Sequence, residues 1–338
     1  MARIRSAGVL AMLGLAWALL VPSSAGATLV FTRNPLNPSV FAASDTGKGI
    51  HRIGAGNSPH ISPDGHTIVF LRGSNTPEMV TVGAVGGKPR PLMKNWREPF
   101  DFDFSPDSKL VAAERGHELG KRKLVVIDLA SGRQTVVAQG FFNGFSFSPD
   151  GHQLVYSKSG KSFSLNGDLF RVGIRGGKPV ALTKNHPSTS PLWSPDGRIV
   201  FDRVRNLKSP VGPKAQLYVM NANGGAVRQL THTKVEPLLF GLSPVAFSAS
   251  GGRLLTEFGG QDTTYAVTVN PHTGAERKVI PGDMEMGFLG TAISKDGSQV
   301  LGVTSVEPGP RQHIAVVPSG GGPKKVIVAN GYEPDWSR

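Results

Sequence analysis

Two residues ahead of each of seven similarly placed serines stand His60, Asp103, Ser146, Leu192, Ala246, Ala292 and Asp335. An imidazole and two carboxylates, His60, Asp103 and Asp335, are the residue types that could hold a divalent metal with positions left open for water or substrate. The same three could form a hydrogen-bonded polar cluster that orients neighbouring strands, because buried polar groups need partners whether or not they do chemistry. Three ligands read from a repeat are a weak metal signal, so neither a metal nor any cofactor is expected.

The serines that define this rung open a recurring turn. It reads Ser62-Pro63-Asp64-Gly65, Ser105-Pro106-Asp107-Ser108, Ser148-Pro149-Asp150-Gly151, Ser194-Pro195-Asp196-Gly197, Ser248-Ala249-Ser250-Gly251 and Ser294-Lys295-Asp296-Gly297, and Ser337 begins a seventh copy. Proline presets φ, aspartate bonds nearby backbone amides, and glycine takes the left-handed conformation, so the motif is a hairpin tip and its aspartates are structural. Ile61, Phe104, Phe147, Trp193, Phe247, Ile293 and Trp336 precede the serines, and large side chains at one rung of every unit are what packed sheets need between them.

A second turn keeps step with the first, as in Gly86-Gly87-Lys88 and Gly176-Gly177-Lys178. The serines lie 43, 43, 46, 54, 46 and 43 residues apart, and a period in the forties with four short strands per unit indicates propeller blades. The expectation is an all-β propeller of four-stranded blades, seven in number. Leu29–Arg33 supplies a strand with no turn before it and Pro334–Ser337 an inner strand with no turn after it, so both termini are expected to share the last blade.

The turn, the Ile-Val-Phe type of strand after it and the Gly-Gly-Lys turn together resemble the WD40-like propeller repeats of the TolB family. The resemblance implies a scaffold for protein contacts in the cell envelope and carries over no particular partner.

Residues 1–27 have the form of a secretory signal peptide: Arg3 and Arg5, an apolar stretch, then Ala25-Gly26-Ala27. Residues 28–338 are expected to form one propeller, exported to the periplasm, cell envelope or exterior, monomeric and without a membrane span after cleavage. The absence of cysteine excludes disulfides.

The chain carries a formal net charge of +13. Its unit lengths vary between the second and third strands, and loops of variable length on a rigid scaffold are common binding sites. Arg115, Lys121, Arg122, Lys123, Arg203, Arg205 and Lys208 fall in or beside those loops, with Trp96 and Phe142 in connections on the same face. This points to an anionic envelope polymer or a protein as partner, and nucleic acid does not suit an exported chain. No His-Glu-x-x-His pair and no Gly-x-Ser-x-Gly elbow is present, and Gly160-Lys161-Ser162 lacks the first glycine of a phosphate loop. The expected function is therefore a non-enzymatic binding propeller. The alternative is a metal-dependent lyase or hydrolase acting on an acidic polysaccharide, with the metal on His60, Asp103 and Asp335.

Overall fold

The computed structural model describes residues 28–73, 77–93, 101–116, 120–184, 187–209, 212–260, 263–280, 288–304 and 312–337. The expected signal peptide at 1–27 and Trp96 lie outside the described residues. Every regular element among the described residues is a β-strand, and among those residues no helix is long and apolar enough to cross a membrane.

The turns form as their residue types dictate. At Ser62 the hydroxyl donates to Asp64 Oδ1 at 2.5 Å and accepts from the Thr67 N–H at 2.9 Å, while the Gly65 N–H closes the turn on the Ser62 carbonyl with φ at 75°. The same contacts recur at Ser105 and Ser148. At Asp296 the Ser294 hydroxyl and the Ser298 N–H and hydroxyl hold the carboxyl at about 2, below its usual range. These aspartates are spent on their own turns.

The strands assemble into several antiparallel sheets in a propeller-like arrangement. Tyr332–Trp336 pairs with Leu29–Arg33, followed by Ser39–Ala43 and His51–Ala55. The register puts Trp336 beside Leu29 and Asp335 beside Val30. Asn57–Ile61, Thr67–Arg72, Glu78–Gly83 and Arg90–Met93 form a second four-stranded sheet, and the strands from Phe288 to Val328 a third.

Elsewhere the hydrogen bonding departs from separate four-stranded units. Gln134–Phe147 is one continuous strand whose first part pairs with Arg122–Asp128 and whose last part pairs with Gln153–Ser159. It is at once the outer strand of one unit and the inner strand of the next, because the connection between them is short enough to stay extended. The fourth and fifth units are likewise linked, through a parallel contact of Ala215 with Gly241.

Alternation along each strand feeds two interfaces. Val30 packs with Ile61, Ile68 and Phe70 of the next sheet, whereas Leu29 and Phe31 on the other face pack with Ala292, Leu301 and Ile314. Similar clusters join Val69 to Phe104, Leu124 to Phe147, Val155 to Trp193, Val200 to Phe247, and Leu255 to Ile293. The large residue before each turn serine is buried in one of them, as its repetition predicts.

Candidate functional site

The inner strands place the polar rung where it links one strand to another. Asp335 Oδ2 accepts a hydrogen bond from the Ile61 N–H at 3.0 Å, and Ser146 Oγ accepts one from the Trp193 N–H at 3.0 Å. Asp103 Oδ1 accepts from the N–H of the adjoining Phe104 at 2.8 Å. Asp103, Ser146 and Asp335 all line a cavity of about 280 Å³ at the turn end, walled by Phe104, Phe147 and Trp193.

His60 and Asp103 line different cavities. The His60 ring rests 4.5 Å from that of Phe102, and its Nδ1 lies 3.9 Å from Asp335 Oδ2. No group of three or more His, Cys, Asp or Glu side chains that could hold a metal ion occurs among the described residues. The geometry brings His60 to Asp335, while Asp103 shares with Asp335 the cavity at the turn end.

A residue that the sequence reading missed joins them. Ser58, His60, Thr291, Glu333 and Asp335 line one cavity of about 270 Å³, closed by Pro59 and Pro334. Glu333 Oε2 accepts from the Thr32 hydroxyl and from the Ser58 N–H, both at 2.8 Å, and Oε1 takes neither bond. Glu333 and Ser58 have φ of 49° and 48°, left-handed values uncommon for residues with a side chain. Both sit where the inner-strand register shifts by a bulge. The matching positions in two further units are Gly144 and Ser190, with φ of 87° and 48°. A glycine four residues ahead of Ser148 was the available signal for this bulge. Strain of this kind is held in place by the surrounding structure and re-aims side chains.

The basic residues expected on the loop face divide. Arg115, Lys121, Lys123, Arg205 and Lys208 are exposed and Arg203 is half-buried. Arg203 lies over the Tyr218 ring at 4.5 Å, Arg205 bonds the Tyr218 hydroxyl, and burial lowers the Arg203 pKa. Arg122 is not a surface contact: it is 7% exposed, pairs with Glu114 at 2.7 Å and donates to the Phe142 carbonyl at 2.8 Å. Burial, against the pull of Arg122, pushes the Glu114 carboxyl up to about 7. Phe142 is a packing residue within the continuous strand, edge-on to Tyr156 with ring centres 5.6 Å apart.

Comparison with known families gives a match to the PD40 model, the TolB β-propeller domain, over residues 86–338. The chain belongs to the PD40 family. This PD40 chain is 32% identical over 115 residues to the uncharacterized peptidase YuxL of Bacillus subtilis (strain 168), a match covering 32% of this chain and 16% of that protein. Among solved structures, a puromycin-hydrolyzing peptidase of Mycobacterium tuberculosis superposes with a TM-score of 0.63 at 16% identity, over 90% of this chain and 54% of that one. An oligogalacturonate lyase of Vibrio parahaemolyticus superposes with a TM-score of 0.57 at 15% identity, over 90% of this chain and 87% of that one. At such identities the likeness is one of fold.

These relatives overturn the expectation of a non-enzymatic protein. That expectation rested on missing short motifs. A propeller assembles its sites from residues of different blades, so no contiguous motif need exist. The fold is shared by TolB and by propellers that belong to hydrolases and lyases.

Proposed function

We propose that this chain is an exported propeller of seven blades, spanning 28–338 behind a leader at 1–27, that cleaves an acidic polysaccharide as a lyase or hydrolase. The apolar clusters that join each sheet to the next, and the first to the last, support the ring. The observation that carries the activity is the cavity gathering His60, Glu333 and Asp335, with left-handed backbone at Glu333 and at neighbouring Ser58.

In this reading the work is proton transfer. An imidazole beside a carboxylate can take a proton from the carbon next to a uronate carboxyl. As the C5–H electron pair forms the new double bond, the neighbouring C4–O bond breaks and the leaving oxygen collects a proton. His60, 3.9 Å from Asp335, is placed to remove the proton, and Glu333 keeps Oε1 available as the second group. Exposed Arg115, Lys121 and Lys123 on the loop face would draw a polyanion toward the cavity.

Incubation of the purified protein with polygalacturonate, with and without added divalent metal, tests this. Ultraviolet absorbance of an unsaturated product reads elimination and reducing ends read hydrolysis. His60→Ala and Glu333→Gln should each lower the rate at least about a hundredfold, the usual contribution of a positioned acid or base. Absence of both products, or wild-type rates in both variants, rejects the assignment.

A further inference from the structure

The pairing register exposes a pattern that the loop sequences hide. The strand after each turn serine begins opposite the large residue of the inner strand: Leu29 opposite Trp336, Ile68 opposite Ile61, Val111 opposite Phe104, Leu154 opposite Phe147 and Ile199 opposite Trp193. Four residues further, at the loop end of each of these strands, stand Arg33, Arg72, Arg115, Lys158 and Arg203. The two remaining units, counted from Leu254 and Val300, carry Phe258 and Thr304 there. The five cations fall on five repeat units that pack in succession, from the unit of Leu29 to that of Ile199, the units of Arg115 and Lys158 sharing one seven-stranded sheet.

The two ends of this series are built alike. Arg33 lies 5.4 and 5.2 Å over the rings of Phe31 and Phe41, themselves stacked at 5.7 Å. Arg203 lies 5.5 and 4.5 Å over Phe201 and Tyr218, stacked at 6.0 Å. Stacking on an aromatic pair restrains each guanidinium; Arg33 Nη2 also donates to the Ala329 carbonyl at 3.4 Å, and the remaining N–H groups suit a carboxylate. Between the ends, Arg115 and Lys158 are exposed, and Arg72 is engaged by Glu78 at 2.5 Å.

We propose that these residues form a cationic crescent that binds an acidic polysaccharide lengthwise, with Arg33 and Arg203 as terminal anchors and Arg115 and Lys158 between them. Positive charge repeated once per unit suits a linear polymer that repeats a carboxylate. Four of the five positions are arginine, which favours carboxylates over a diffuse cloud of negative charge. The inference takes its ligand class from the function proposed above, but its readout is binding, so binding without cleavage would reject only the acid–base site.

The test is titration calorimetry of the full chain with polygalacturonate, fully methyl-esterified polygalacturonate and single-stranded DNA. Binding should be specific to the acidic polymer and weaken with salt. The R33Q/R203Q pair should lose at least about tenfold in affinity, equivalent to about 1.4 kcal/mol. R115Q, at an exposed position, should lose about two- to fivefold with its thermal transition unchanged, so a folding defect in the double variant leaves the idea testable. The K88Q/K178Q pair removes the same charge from the opposite, turn-bearing face and should lose less than about twofold. Equal losses in both pairs, undiminished binding to the ester, an unchanged R115Q, or tighter binding to DNA would each overturn the crescent.

Discussion

The Asp335 carboxylate accepts a hydrogen bond at 3.0 Å from the Ile61 N–H, 274 positions earlier in the chain. One side chain from the last strand therefore orders the inner strand of the next sheet, and it does so while lining both interior cavities. Asp335→Ala would leave a buried N–H without its acceptor and should cost about 1–3 kcal/mol. Asp335→Asn keeps an acceptor oxygen and should cost less. Urea unfolding of both variants compares them, and equal losses would assign the effect to charge rather than to this hydrogen bond.

The buried pair of Glu114 and Arg122 makes a second prediction. Arg122→Ala leaves an uncompensated carboxyl in the interior and should cost about 3–5 kcal/mol. The pH dependence has a definite sign. Burial raises Glu114 from 4.5 to about 7, so the folded protein keeps a proton that the unfolded chain has lost across that window. Its contribution is fully present below about 4.5 and is lost as the pH rises through about 7. Melting temperatures between pH 4 and pH 8 should show this decline in wild type and a flatter profile in Glu114→Gln.

Two glycines with similar backbone angles should respond differently to alanine. Gly274 has φ of 78° and a Cβ built there would meet the Leu230 carbonyl oxygen at 1.9 Å. Gly49 has φ of 66° and nothing within 4 Å. Gly49→Ala should therefore cost only the left-handed penalty, about 1–2 kcal/mol, and Gly274→Ala more than that, because backbone must move. Denaturant midpoints of the two variants decide it; a smaller loss at Gly274 would contradict the close approach.

Much of this architecture was legible because its causes are local. Serine, proline, aspartate and glycine close their turns with contacts spanning five residues or fewer, and the large residue before each serine is apolar in every copy because each packs between sheets. The pairing of Trp336 with Leu29 could be anticipated because two incomplete units complement each other. What escaped depends on contacts formed only after folding. Arg122 reads as a loop cation, yet its partner Glu114 faces it across a hairpin that must first assemble. Glu333 carries no motif at all; the left-handed bulge it occupies is signalled in the sequence where a glycine, Gly144, takes the matching place.

The uninterrupted strand from Gln134 to Phe147 belongs to two neighbouring sheets at once. Peeling its first half away from Arg122–Asp128 drags on the half that anchors Gln153–Ser159, so the second and third units share a single mechanical fate. Amide exchange in these two units should slow and quicken together, as one cooperative block.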